Sequence, residues 1–474
     1  MAYALDQICI EGLTFEKLEE LKIECRPGEH GSLYISGFLS EDKGKNTLFE
    51  MNEYAPISVS VQVKGKKQTI FAGVVTEAVV QGSGAFHHIE VKARTYSLFM
   101  DLKKKSRSFQ NTAMTYGQLI HAVLADYPGS DINLTIEDKP LGEISVQYRE
   151  TDWVFLKRML SQLNVPLACY PGMEQIKLYG GIPSMAQGAW GYRRVRAEKE
   201  MGVCNYWQQQ GAAVGDVDFL IYTVETDHTP ELFEQINYQG ESLRIRGFAY
   251  TLEQGLLHCQ CELQKQTGIL EAKQYPMHLI GAALEGKILD VAGEKVKAQL
   301  MIDGENSQGS VYWFPYSTLS ASLDGSGWYY MPERGDHVRI YFPSKHTKDV
   351  IAVSSVSDYD GTGGGGSGGD RMGSPSTKYL SNVHGQEMSL GEDGVNLTCA
   401  GGAASLKIGK DGKVSLSAQS EIMVGAQNNI DITAETAVVL HGSKCVSIMC
   451  SQGGQIQAAE DGNLYIKGTE VKID

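Results

Sequence analysis

Residues 406–464 repeat a pattern of large aliphatic side chains every eight residues. In the first six octads one large aliphatic residue is followed two positions later by another, next by a mostly small residue, and then by polar positions. Side chains at every second position of a strand share one face, so the pattern predicts short strands joined by tight turns. The large positions are Leu406, Ile408, Val414, Leu416, Ile422, Val424, Ile430, Ile432, Val438, Leu440, Val446, Ile448, Ile456 and Leu464.

An octad is too short to close one coil of a β-helix within a single chain, because longer solenoid repeats use roughly 20 or more residues per coil. Three chains that each supply one side of a triangle would enclose all these side chains. The pattern therefore favours an intertwined triple-stranded β-helix in a homotrimer, with these aliphatic residues as its core. A flat meander with one buried face is the alternative, although it leaves two open sheet edges.

The chain is acidic, with a formal net charge of −15 and a pI near 5.3. Nucleic-acid binding needs a basic face, so no nucleic-acid partner is expected. We interpret the basic run 103–107 as a solvated edge. No apolar stretch reaches the ~18 residues of a membrane span, and the first residues lack the features of a signal peptide. These observations indicate synthesis and assembly in a cytosol.

Residues 1–275 have the composition and alternation of a mainly β domain, with strands predicted at 57–63 and 89–93. A further β segment is expected from about Cys204 to Gln264.

Two helices are predicted within this domain. Thr115 and Gln118 have capping-box spacing at the start of the first helix. The second follows Thr151 and ends before Pro166, because proline cannot continue a helix.

Three further segments complete the chain. Residues 276–358 have about five short alternating strands, typical of an OB barrel, with a turn at Gly335-Asp336. Residues 359–380 contain a glycine-rich run typical of a flexible linker. Residues 381–474, here called the needle, carry the octads.

Cysteine and histidine positions do not indicate a metal site. Nine cysteines without regular spacing argue against a disulfide framework. Cys259 and Cys261 would share one face of a strand without a second ligand pair, so two buried thiols are expected. His87 and His88 would point to opposite faces, and His441 falls at an outward octad position.

Motifs of catalysis are missing as well. The sequence contains neither a His-Glu-x-x-His nor a Walker motif. Glu333 and Asp336 lie in a predicted turn, which favours a turn role over acid–base chemistry. We therefore expect no catalytic residue, no metal and no cofactor.

Several stretches together resemble the VgrG spike family. Residues 144–160, ISVQYRETDWVFLKRML, are similar to its QY-E-D-x-x-FL-x-R stretch, and residues 108–110 with the helix after Thr115 resemble the approach to it. Residues 328–338, WYYMPERGDHV, resemble its OB signature, and the octads resemble its triangular needle. The resemblance covers nearly the whole chain in the family's order.

The resemblance implies a homotrimeric central spike of a contractile injection system: type VI secretion, a phage-tail-like particle or a contractile phage tail. Residues 1–275, here called the hub, would form two tube-like β-barrels, so three copies would present six barrels to a hexameric inner tube. The implied partners are the inner tube protein at the hub end, baseplate proteins, a PAAR-type tip protein at the C-terminal end and effector cargo. The target membrane would be contacted only transiently, after delivery or release outside the cell.

The leading hypothesis is therefore mechanical. Only the glycine-rich linker occupies the place where some family members carry a lysozyme domain, so no cell-wall cleavage is expected. The alternatives are a baseplate-associated cell-wall hydrolase, which would need a site hidden in the hub, and a trimeric receptor-binding fibre, which would need a head beyond the shaft.

Overall fold

The computed structural model of the chain describes residues 3–40, 47–63, 65–83, 86–185, 187–188, 191–306, 312–322, 326–356, 374–470 and 472. Two compact units contain residues 1–358 and 359–474. The secondary structure consists of several β-sheets and a few helices, which confirms the predicted mainly β, multidomain fold class. The glycine-rich run at 361–369, predicted as a linker, lies outside the described residues.

Most strands of the first unit precede residue 265. They are β1 (Tyr3–Ala4), β2 (Ile8–Glu11), β3 (Lys17–Cys25), β4 (Ser32–Leu39), β5 (Pro56–Val63), β6 (Lys66–Ser83), β7 (Phe86–Thr95), β8 (Lys104–Phe109), β9 (Asp131–Thr135), β10 (Ser145–Thr151), β11 (Leu167–Cys169), β12 (Lys177–Gly181), β13 (Gln187–Gly188), β14 (Tyr192–Lys199), β15 (Leu220–Thr226), β16 (Gln235–Tyr238), β17 (Glu241–Glu253) and β18 (Leu256–Gln264).

A sheet of 13 strands dominates this part of the chain, and its order β14-β15-β18-β17-β3-β4-β7-β6-β5-β2 divides it into two halves. Strands β17 and β3 pair antiparallel, with Tyr250 opposite Ile23, and so join the halves into one continuous sheet. The strands predicted at 57–63 and 89–93 are β5 and β7, both in the first half. Ser60 is as buried as Val59 and Val61, so β5 is covered on both faces.

Two smaller sheets complete this part. Strands β8 and β10 pair antiparallel. Strands β11, β12 and β9 form the other sheet, in which β12 runs parallel to β9.

Four helices occur among the described residues: α1 (Thr47–Glu50), α2 (Tyr116–Leu124), α3 (Asp152–Ser161) and α4 (Met201–Gln209). Helix α2 begins with the predicted capping box, because Thr115 accepts from the backbone of Gln118 while the Gln118 side chain binds the Thr115 N–H. Thr151 caps α3 through its hydroxyl, as the sequence predicted. The buried faces of both helices join the core of the large sheet.

The β segment predicted from Cys204 onward is wrong at its start, because Cys204 lies inside α4. This helix has no polar side chain capping its first turn, so the usual start signal is missing. Its buried residues, Cys204 and Trp207, lie three positions apart and share one face. That spacing is the signal that could have identified the helix.

The last part of the first unit is a five-stranded sheet with the strands β19 (Ala283–Ala292), β20 (Lys295–Leu300), β21 (Trp313–Pro315), β22 (His337–Tyr341) and β23 (Ile351–Val356), in the order β21-β20-β19-β22-β23. The chain just after β21 returns to the opposite edge, where the Ser317 N–H donates to the carbonyl of Ala352 at 2.8 Å. This bond brings the two sheet edges together, as an OB barrel requires. Gly335 has a φ of 97° at the predicted turn before β22.

The second unit contains two antiparallel sheets. The first consists of β24 (Lys378–Ser381), β25 (Glu387–Gly391), β26 (Gly394–Cys399), β27 (Ala404–Gly409) and β28 (Val414–Ala418), and the second of β29 (Cys445–Met449), β30 (Gln455–Ala459) and β31 (Leu464–Lys467). Each sheet is a meander in which consecutive strands pair. Short strands joined by tight turns, as the octads predict, are therefore present in both sheets.

Candidate functional site: the octad stripe and the hub–OB joint

The fourteen aliphatic octad positions, here called the octad stripe, lie on one face wherever they belong to strands. Leu406 pairs opposite Leu416 and Ile408 opposite Val414 in the first sheet. Ile448 pairs opposite Ile456 in the second. The structure thus brings these predicted core residues together in cross-strand pairs.

Nearly the whole stripe is uncovered in the single chain. Leu406 and Val446 are half-buried and the other twelve members are exposed, with Val414 at 69% and Val424 at 71%. Soluble monomers rarely expose continuous apolar surface of this size, and such surfaces mark sites of association. The homotrimer and the triple-stranded β-helix remain predictions, because the structure contains one chain.

Six members of the stripe lie between the two sheets of the needle. Residues 419–444 are all described and contain no β-strand, although the octads continue through them without interruption. The members in this segment are Ile422, Val424, Ile430, Ile432, Val438 and Leu440, of which all are exposed. This segment keeps the alternation of a strand but has no strand partner within the single chain. Such a segment could form strands by pairing with a neighbouring chain.

The second candidate site is built around Asp152, whose side chain is fully buried at the start of α3. Its two oxygens accept from Lys105 at 2.5 Å, Arg107 at 2.7 Å, Tyr127 at 2.7 Å and Gln147 at 2.9 Å. A buried carboxylate needs such partners, because an unpaired charge inside a protein is strongly unfavourable.

This geometry corrects the interpretation of the basic run as a solvated edge. Lys103 and Lys104 are exposed, as expected, but Lys105 and Arg107 turn inward to Asp152. Both cations also bind Asp126. Burial raises the pKa of Asp126, but the bonds from Lys105 and Arg107 outweigh this effect and leave the pKa below its usual value.

A second buried ion pair includes Arg158, nearly two turns along α3 from Asp152. Arg158 donates to Glu150 from Nε at 3.0 Å and from Nη2 at 2.7 Å, and Nη2 also reaches the carbonyl of Val146 at 2.8 Å. A bulge in β10 separates Tyr148 from Glu150, and Arg149 adopts a left-handed φ of 53° within it. Gln147, Glu150, Asp152 and Arg158 therefore form one buried network that attaches α3 to β10 and β8.

The same two strands connect residues 1–275 to the five-stranded sheet of residues 276–358, which was predicted to be an OB barrel and is here called the OB domain. Ile144 and Val146 are fully buried in the OB core, although they precede it by more than a hundred residues. Ser108 donates its backbone N–H at 2.5 Å and its hydroxyl at 2.6 Å to the carboxylate of Asp303, and Gln110 donates to the carbonyl of Ala298 at 3.2 Å. We call these contacts the hub–OB joint.

Burial raises the pKa of Asp303, while the two bonds from Ser108 lower it by less. The sequence analysis did not identify Asp303, because no local pattern links it to Ser108, 195 residues away.

Other residues considered for chemistry have structural roles. Cys259 and Cys261 are buried free thiols, as predicted. The carboxylate of Asp336 accepts from the Glu333 N–H at 2.8 Å, which is the predicted turn role. Among the described residues, no cluster of histidine, cysteine, aspartate and glutamate side chains could hold a metal ion. None of the helices in the described ranges combines the length and hydropathy needed to cross a bilayer.

Comparison with known proteins gives a family match over about a quarter of the chain. Residues 44–164 match the family model of the phage tail baseplate hub (GPD). This segment includes β5 to β10 and the network around Asp152. None of the curated protein sequences matches the chain.

Solved structures with a similar fold cover most of the chain. The Escherichia coli c3393 protein aligns over 74% of this chain and 99% of its own, with a TM-score of 0.51 and 14% identity. It is described as a component of the type VI secretion system that is structurally similar to the T4 tail proteins gp27 and gp5. One chain of a Francisella PdpA–VgrG complex aligns over 86% of this chain and 87% of its own with a TM-score of 0.54 and 9% identity. The chain has the fold of a VgrG-type spike, which confirms the resemblance seen in its sequence.

Proposed function

We propose that the chain is the structural central spike of a contractile injection system, assembled as a homotrimer. The exposed octad stripe carries this proposal, because the aliphatic face of the needle has no cover within one chain. Three needles wound together would bury the stripe around a common axis and remove the open sheet edges. Burying fourteen such side chains per chain would contribute about 20–40 kcal/mol before the cost of ordering.

The hub would act as a symmetry adapter. Its sheet consists of two halves, which three copies would repeat six times around the axis, matching a hexameric inner tube. The baseplate-hub match over residues 44–164 supports this placement beside tube and baseplate proteins. The Francisella VgrG was solved in a complex with PdpA, and we extend this to an expectation of partner proteins or cargo here.

In this proposal the spike acts through the stiffness of its trimeric needle and not through a catalytic site. Sheath contraction would drive the trimeric needle through the target envelope, with a PAAR-type protein as its tip and only transient membrane contact. The chain would be made in the bacterial cytoplasm and leave it within the particle. The buried carboxylates at 150 and 152 are paired with cations, so this network offers no free acid–base pair to the hydrolase alternative.

Light scattering of the purified full-length chain after size-exclusion chromatography tests the proposal. We expect a mass of three chains, independent of concentration in the micromolar range. A stable monomer would contradict the proposal. Electron microscopy of intact particles is the second test, and the chain should lie at the tube end next to the baseplate.

A further inference from the structure

Two buried cysteines from distant parts of the hub meet at one point. Cys25 is the last residue of β3 in the large sheet, and Cys169 is the last residue of β11 in the three-stranded sheet. Each is 1% exposed. The Cys25 thiol donates to the carbonyl oxygen of Cys169 at 3.8 Å, and the two thiol groups are close enough to influence each other's charge.

The surroundings of the Cys169 sulfur are polar, unlike those of a thiol that only fills a core. The backbone N–H of Gly31 donates to this sulfur at 3.2 Å, and the hydroxyl of Thr95 donates at 3.5 Å. Hydrogen bonds from Cys25, Thr95 and Gly31 together lower the pKa of Cys169 to about 6, against the effect of burial. Donors of this kind stabilise a thiolate, which is the reactive form of cysteine.

A chain of hydrogen bonds leads from Thr95 towards the surface. The hydroxyls of Thr95 and Ser97 lie 2.9 Å apart, Ser97 lies 2.8 Å from Nδ1 of His30, and Nε2 of His30 lies 3.4 Å from Asp101. The Asp101 side chain is 32% exposed, so this end of the chain reaches solvent.

The donors in this series of hydrogen bonds can all point towards the Cys169 sulfur. With an imidazolium at His30 and a thiolate at Cys169, His30 donates to Ser97, Ser97 to Thr95, and Thr95 to the sulfur. The proton of the buried thiol thus has a defined route to His30 and the Asp101 carboxylate.

We propose that Cys25 and Cys169 form a peroxide-reactive dithiol that closes to a disulfide within the hub. The Cys169 thiolate attacks a peroxide oxygen, the O–O bond breaks, and cysteine sulfenic acid and hydroxide form. Cys25 then attacks the sulfenic sulfur, the S–O bond breaks, and water leaves as the S–S bond forms. In total two thiols and one hydrogen peroxide give one disulfide and two waters.

Such a bond would connect β3 with β11 across 144 residues of sequence. It would restrict the unfolded chain and hold the three-stranded sheet against the large sheet. A protein that leaves a reducing cytoplasm would thereby become more resistant to unfolding outside it. The chemistry itself does not depend on the spike function and is tested separately from it.

The chain contains its own control pair. Cys259 and Cys261 are buried to a similar degree, but they lie two residues apart on β18. Strand geometry separates such positions by roughly 6.8 Å, at the outer limit for a disulfide. They should stay reduced under conditions that oxidise the Cys25–Cys169 pair.

The test treats the folded full-length chain with hydrogen peroxide, alkylates the remaining thiols under denaturing conditions and maps the peptides by mass spectrometry. Replacing the exposed Cys9, Cys399, Cys445 and Cys450 by serine prevents disulfide scrambling. We expect a linked Cys25–Cys169 peptide with Cys259 and Cys261 alkylated, and an upward shift of the thermal midpoint that a reductant reverses. Equal alkylation of Cys25, Cys169, Cys259 and Cys261 would overturn the proposal.

Two variants separate the roles. In Cys25→Ser, the sulfenic acid at Cys169 should persist and react with dimedone, whereas Cys169→Ser should leave Cys25 unmodified. Thr95→Val keeps both thiols and should slow disulfide formation several-fold, which gives a readout even where a cysteine variant does not fold. A folded Thr95→Val chain that oxidises at the original rate would contradict the assigned hydrogen-bond route.

Discussion

Ser108 donates both its backbone N–H and its hydroxyl to the carboxylate of Asp303 and so connects β8 of the hub to the OB domain. The contact is largely buried and joins residues 195 positions apart. Together with Ile144 and Val146, which belong to the OB core, it makes residues 1–358 one packed unit. The orientation of the OB barrel on the hub therefore depends on a few residues of β8 and β10.

Replacing Asp303 by alanine should loosen this joint. Two donors of Ser108 would lose their acceptor in a largely buried place, which costs about 1–3 kcal/mol of unfolding free energy. Urea unfolding followed by tryptophan fluorescence measures this loss. Asp303→Asn is the matched control, since it keeps one acceptor oxygen and should lose less. Equal stability of Asp303→Ala and the parent chain would show that the joint does not depend on this contact.

The basic run offers a pair of variants with opposite expectations. Arg107→Ala leaves the buried Asp152 with fewer positive partners and should cost about 3 kcal/mol, the lower end for a broken buried ion pair because Lys105 remains. Lys103→Ala removes an exposed charge from the same run and should change stability by less than about 0.5 kcal/mol. Chemical denaturation of both variants at neutral pH checks the difference. If both variants change stability only slightly, the basic run 103–107 is a solvated edge, as its sequence predicted.

Asp126 predicts a pH dependence with a defined sign. Its pKa is lower in the folded chain than in the unfolded chain, so its contribution is present above the unfolded value of about 3.9. It is lost as the pH falls through the lower folded value. Asp126→Asn should therefore destabilise the chain at pH 7, and this effect should be smaller near pH 3. Denaturant unfolding curves of both chains at pH 7 and pH 3 measure this effect. A stability difference between Asp126→Asn and the parent chain that grows on acidification would contradict the prediction.

The octad stripe predicts where the needle tolerates charge. Leu416 is 58% exposed in the single chain, so Leu416→Asp should not disturb the monomer, but three aspartates would meet in a trimeric core and prevent assembly. Ser415, its neighbour on the opposite face of β28, is the control, and Ser415→Asp should remain a trimer. Light scattering compares the masses. A trimeric Leu416→Asp would mean that this face of the needle lies outside.

Local patterns predicted much of this molecule. The capping box of Thr115 and Gln118, the cap at Thr151 and the turn at Gly335 depend on residues within four positions of each other, and all three are present. The OB strands and the short strands of the needle follow from alternation, which is local as well. Where a local signal was weak, as at the uncapped start of α4, the prediction was wrong.

The sequence by itself determined the mainly β fold class and which face of the needle is aliphatic, because both are periodic properties of neighbouring residues. Only the tertiary structure showed that Arg107 faces the buried Asp152, that Ser108 reaches Asp303, and that Cys25 meets Cys169. Each of these contacts joins residues from 45 to 195 positions apart, and their energy comes from burial, which no local pattern records. The buried charge pairs and the thiol contact are therefore properties of the packed first unit, whereas the aliphatic face of the needle is predictable from its octads.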